Sequence, residues 1–169
     1  MTSTTAPRRA VQAGRPGSVR HMPDIELRDV ERDDLETLYE HQLDPEAAAM
    51  AGFPSRDHDA FISHWAGILA DPDLLALAIV ADGELVGNLG VFPDVGKRAI
   101  GYWIGREYWG RGIATDAVRL FLTRYAERPL YAWVISTNAA SIRVLEKCGF
   151  QPADDAEVEP GELLFRLDI

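Results

Sequence analysis

The sequence predicts an α/β protein, a mixed sheet of six or seven strands flanked by about four helices. Three observations predict it. Two apolar runs, 74–81 and 84–92, meet at Asp82-Gly83, a dipeptide suited to a type I′ hairpin turn. A strand-like run over 97–104 passes through a glycine-containing turn into Ala114, Ala117, Val118, Phe121, Leu122 and Tyr125, which is helical spacing. A further apolar run over 130–135 follows that helix, so the two strands are joined by a crossover and run parallel.

The elements follow in order. Residues 24–28 read as a first strand. Asp33 and Glu36 have capping-box spacing ahead of Leu35, Leu38 and Tyr39, which begin the first helix. Residues 50–56, with Gly52, Phe53 and Pro54, read as a loop. Phe61, Ile62, Trp65, Ile68 and Leu69 mark a second helix that ends near Asp71-Pro72. Pro93-Asp94-Val95-Gly96 turns the chain into strand 97–104 and completes an antiparallel meander. A helix over 112–126 stops before Arg128-Pro129, and a helix over 139–148 closes at Gly149. Residues 150–158 and 162–167, around Pro160-Gly161, read as a closing hairpin.

The length of 169 residues suits one domain, expected over 23–169. Residues 1–22 hold Arg8, Arg9, Arg15 and Arg20 and no acid. They read as a flexible arm or an expression remnant, dispensable for folding, with Met22 as the natural start. No apolar run approaches the ~20 residues of a membrane span, and no signal-peptide pattern is present. The single cysteine, Cys148, excludes an intramolecular disulfide and suits a cytoplasmic setting. The net charge of -10 argues against broad nucleic-acid binding and suits an amine-bearing acceptor. No metal is expected, and a homodimer stays open.

The chemistry centres on 99–115. A strand, a Gly-x-Gly turn and a helix start form an anion-binding device, because the first helical N–H groups lack internal partners and carry the positive end of the dipole. Gly110 and Gly112 permit close backbone approach, and Arg111 adds charge. Gly105 to Gly112 imitates a phosphate loop, but Arg-Gly replaces the required Lys-Ser/Thr. Gly110-x-Gly112-x-x-Thr115 lacks the third dinucleotide glycine and no βαβ unit precedes it.

Trp109-Gly110-Arg111-Gly112-Ile113-Ala114 resembles the Q/R-x-x-G-x-G/A signature of the GNAT N-acetyltransferase superfamily, with Trp109 at the Gln/Arg position. It is similar to the subgroup resembling ribosomal-protein alanine N-acetyltransferases. The block from Asn138 through Ser141 to Glu146-Lys147-Cys148-Gly149-Phe150 looks like that subgroup's second motif. The resemblance implies acetyl-CoA as cosubstrate and direct attack of a primary amine on its thioester. It implies that strands 97–104 and 130–135 splay and that pantetheine pairs near Trp103, Ile104 and Arg106. The pyrophosphate then meets the backbone of Gly110, Arg111, Gly112, Ile113, Ala114 and Thr115 beside Trp109. Asn138 and Ser141 face the pantetheine and the sulfur.

The chain departs from the family pattern where many members carry a tyrosine as general acid. Leu145 stands there, and Ser141 is the replacement the resemblance implies. Strand 97–104 offers no carboxylate as base. Tyr102 joins Ser141 as a catalytic candidate and is expected near the acceptor with Asn88. Glu107, His41, His58 and His64 are further titratable groups. Cys148 falls on the apolar stripe with Leu145 and reads as packed. Two readings follow: an active N-acetyltransferase acting on a small molecule or a protein N-terminus, and a catalytically weak domain that holds CoA as a sensing or structural ligand. A nucleotide-binding protein is a third.

Overall fold

The computed structural model describes residues 21–154 and 158–169. The arm expected over 1–22 lies outside them except for His21 and Met22, and His21 Nε2 stands 3.2 Å from the Asp82 carboxylate. Among the described residues are seven strands: β1 (Ile25–Asp29), β2 (Leu75–Ala81), β3 (Glu84–Asp94), β4 (Lys97–Ile104), β5 (Leu130–Ile135), β6 (Gln151–Ala153) and β7 (Glu162–Leu167). Five α-helices accompany them: α1 (Leu35–Gln42), α2 (Pro45–Ala51), α3 (His58–Ala70), α4 (Ile113–Arg124) and α5 (Ala139–Lys147). The sheet order is β1-β2-β3-β4-β5-β7-β6. Among the described residues only the β4–β5 pair is parallel.

The Asp82-Gly83 turn is as expected: both residues take positive φ, 52° and 82°, as a type I′ turn requires. Alternation along the strands divides the core. Ile79, Leu89, Ile100, Leu130 and Phe165 point to one face, where Ile113, Val118 and Phe121 of α4 and Leu145 of α5 meet them. Ala78 faces the other way, onto Leu38 of α1 and Phe61 and Trp65 of α3. Each large apolar side chain so buried stabilises the fold by about 1.5–3 kcal/mol.

Five helices rather than four result because α2 occupies a stretch partly read as loop; Met50 and Ala51 are helical. Its stop and start are local. Asp44 Oδ1 accepts from Ala47 N at 2.8 Å, Pro45 takes the first turn, and Gly52 closes the helix at φ 76°.

One feature of the sheet positions the site. β3 and β4 pair continuously from Gly87↔Ile104 to Asp94↔Lys97, but β4 and β5 share only Ala99↔Tyr131. Beyond that residue β5 continues against β7 as far as Ile135↔Glu162. The two strands therefore part, and β4 from Ile100 to Ile104 has no strand on its β5 side. The gap opens at the carboxyl ends of parallel strands, where ligands of α/β sheets commonly bind.

Candidate active site

The parted strands border a cavity of about 390 Å³. Its walls are Tyr102, Trp103 and Ile104 of β4; Tyr108, Trp109, Gly110, Gly112, Ile113, Ala114 and Thr115 of the turn into α4; Asn138, Ala140, Ser141, Arg143, Val144 and Lys147 at α5; and Ala47, Met50 and Ala51 of α2.

The β4 wall is held from behind. A Cβ on Gly87 would lie 2.0 Å from the Trp103 carbonyl oxygen, so only glycine lets β3 approach there. β3 bulges between the Ile79 and Val80 registers, and Gly105 N–H donates to Val86 O at 2.9 Å. The Trp109 indole N–H donates to Ile104 O at 2.8 Å, tying the end of β4 to the turn. Arg106 lies over the Trp109 ring at 4.6 Å and forms an ion pair with Glu46 of α2.

The start of α4, like that of α1, lacks the side-chain cap that the other three helices carry. α2, α3 and α5 each carry a side-chain N-cap, from Asp44, Asp57 and Asn138. α4 has Gly112 there, at φ 81°, with no side-chain cap. Its first N–H groups are therefore free to meet an anion. A Cβ on Gly110 would meet no protein atom within 4 Å, and one on Gly112 would meet only Asp116 Oδ2 at 3.9 Å. The space those glycines keep clear is not filled by protein.

On the facing arm, Asn138 does two things. Its Oδ1 accepts from Ser141 N at 3.0 Å, capping α5. Its Nδ2 donates to Met50 O at 3.0 Å, fastening α2. Ser141 Oγ lies 2.7 Å from the Tyr102 hydroxyl. Burial pushes the Tyr102 phenol up to about 12, so at neutral pH it keeps its proton and cannot serve as a base. Tyr102 pairs with Leu89 and Trp103 with Asn88. Tyr102 and Asn88 thus fall on opposite faces of the sheet and are not neighbours at one acceptor site.

Other expected residues lie elsewhere. Arg111 does not line the cavity; its Nη2 stands 3.9 Å from Asp82 and its guanidinium 5.9 Å from the Tyr108 ring. Arg106 likewise turns to Glu46. His41 is buried, and that burial lowers its pKa against the opposing pull of Glu107, Glu40 and Glu84. His58 is exposed and held by Glu36 at 2.9 Å, which raises its pKa. Burial lowers that of His64. None of these histidines borders the cavity, nor does Glu107. Cys148 is packed as expected, with Sγ 3.6 Å from Thr115 O and its thiol pushed up by burial.

Sequence reasoning missed the α2 wall, Tyr108, and Ala140, Arg143, Val144 and Lys147. The last four recur at i, i+3, i+4 and i+7, one helical stripe that runs beside Ser141, and that spacing is the signal that finds them.

The sheet is parted at its parallel pair, and an uncapped helix start stands at the mouth of the gap. The family model for the acetyltransferase (GNAT) domain matches residues 24–151. The chain belongs to the GNAT acetyltransferase family. It is 25% identical over 141 residues to an uncharacterized N-acetyltransferase p20 of Bacillus licheniformis, covering 75% of this chain and 79% of that protein. It is 32% identical over 99 residues, 54% of each chain, to the putative ribosomal N-acetyltransferase YdaF of Bacillus subtilis strain 168. The structure of RimL, a ribosomal L7/L12 alpha-N-protein acetyltransferase in complex with coenzyme A, matches with a TM-score of 0.72 at 20% identity. That match covers 91% of this chain and 97% of the other.

Proposed function

We propose that the chain, as a single domain over 23–169, is an acetyl-CoA-dependent N-acetyltransferase acting on a primary amine. The observation that carries this reading is the unpaired β4 edge leading to the uncapped start of α4. Acetyl-CoA would supply the activated acetyl thioester. Trp103 and Ile104 offer backbone to its pantetheine, and the N–H groups from Gly110 to Thr115 offer donors to its pyrophosphate. A backbone N–H near Ile104 is the candidate donor to the oxyanion. Ser141 offers a hydroxyl to the departing sulfur. The amine must arrive neutral, and β4 carries no carboxylate to take its proton, so water or an acceptor-side group does so. A protein N-terminus and a small amine are both acceptors of the right chemistry. A cytoplasmic setting suits the lone thiol.

The rival reading, a weak domain that holds CoA without efficient transfer, draws on Leu145, which is only 1% exposed and sits in the core where many family members carry a tyrosine acid. Release of free thiol from acetyl-CoA across a panel of amines separates the two. Amine-dependent release is expected; bound acetyl-CoA with no release above the amine-free rate for any amine favours the rival. Ser141→Ala should slow turnover by up to about 10²-fold, the low end for one donor to a developing negative charge, with acetyl-CoA affinity unchanged. An unchanged maximal rate removes Ser141 from the mechanism.

A further inference from the structure

We propose that Tyr102 is a positioning residue whose phenol orients the Ser141 hydroxyl, so that the serine's own proton points into the cleft. The inference rests on the reading of Ser141 as the group that meets the sulfur. The two side chains come from opposite arms of the gap, β4 and α5. The Tyr102 hydroxyl lies 2.7 Å from Ser141 Oγ and 3.3 Å from Ser141 O. Both of its partners are thus on one residue, and the carbonyl can only accept. Burial keeps the phenol protonated, at about 12, and a buried O–H must donate to something. The shorter contact is to Oγ. An Oγ that accepts from Tyr102 turns its own proton away from the ring. Asn138 holds the Ser141 backbone through the N-cap at 3.0 Å, and the free direction is the cavity that both side chains line.

The pair then acts as a chain of donors, Tyr102 to Ser141 to sulfur. In the transfer, the amine nitrogen forms the new N–C bond and the C–S bond breaks with its electron pair left on sulfur. The amine's spare proton goes to water. Neither hydroxyl loses its proton, because a thiol at ~8.5 is a stronger acid than a serine or this phenol. What the chain contributes is stabilisation of negative charge on sulfur, strengthened because each donor polarises the next.

Coenzyme A itself is the probe, with no acceptor needed. The thiol of bound CoA is titrated by thiolate absorbance, as a difference between protein with and without CoA, which removes Cys148. Tyr102→Phe keeps the ring and its packing while removing the donor. It should raise the titration midpoint of bound CoA by about 0.5–1 pH unit, the size of one neutral hydrogen bond, with CoA affinity at low pH unchanged. Ser141→Ala should raise it at least as far, and the double variant no further than Ser141→Ala. If Ser141→Ala raises the midpoint and Tyr102→Phe does not, Tyr102 has no positioning role and Ser141 stands. If neither moves it, both readings fall. A double variant showing the sum of two shifts means that Tyr102 acts on sulfur by itself, which also overturns the proposal.

Discussion

Gly112 and Gly83 form a matched pair that separates ligand space from backbone strain. Both sit at nearly the same positive φ, 81° and 82°, and neither would clash with protein if given a Cβ; the nearest atom to that at Gly112 is Asp116 Oδ2 at 3.9 Å. A side chain at either costs about 1–2 kcal/mol for the left-handed backbone. In a domain of this size that lowers the apo melting temperature by about 2–8 °C. The difference lies in the ligand. Acetyl-CoA at ~100 times its dissociation constant stabilises wild type by about 2.7 kcal/mol, or about 5–11 °C. Gly83→Val, in the β2–β3 hairpin, should lose apo stability yet keep that full shift. Gly112→Val should lose similar apo stability and lose the shift as well, because its side chain fills the space a phosphate needs. Thermal unfolding with and without acetyl-CoA measures both. A full shift in folded Gly112→Val would refute the assignment of the α4 start.

Gly87→Ala should cost about 1–3 kcal/mol or more through overpacking, since the Trp103 carbonyl it meets is backbone; chemical denaturation measures it, and a neutral result would mean that β3 shifts freely. Asp34 is nearly buried and takes two hydrogen bonds from Arg28, at 2.7 and 2.8 Å, and these hold its pKa below the ordinary carboxylate value. Its contribution is therefore present above the unfolded pKa of ~3.9 and lost as pH falls through the lower folded value; Asp34→Ala should cost about 1.5–3 kcal/mol at pH 7 and less in acid. His41, whose Nδ1 is buried without a partner, has a folded pKa below 6.5, so its neutral form is favoured in the fold. Stability should fall as pH drops below ~6.5, and His41→Leu should flatten that slope in melts between pH 7.5 and 5.5.

Local chemistry was the legible part. Asp82-Gly83, the glycines at 110 and 112 and the Asn138 cap all act within a few residues, so spacing alone places them. α2 escaped because seven residues are too few for a period to show, although Asp44-Pro45 marks its start. Arg111 reads from the sequence as a charge beside a phosphate and Arg106 as the end of the edge that meets pantetheine, but long side chains take the nearest carboxylate. Glu46 and Asp82, distant in sequence, were brought there by the fold. Alternation put Tyr102 and Trp103 on opposite faces without saying which face α5 would cover. The parting of β4 from β5 is a matter of register between strands separated by a helix, and no residue type announces it.

An unpaired strand edge is ordinarily adhesive, since it invites a second chain to continue the sheet. Here the open edge is indoors. α2 lies across its mouth, pinned to one arm through Glu46 and Arg106 and to the other through Asn138 and Met50. A polypeptide strand carries side chains on both faces, and on this edge they would meet Met50 of α2 and Ser141 and Val144 of α5, which border the same cavity. An edge covered in this way is a poorer template for a second copy of the chain than one open to solvent.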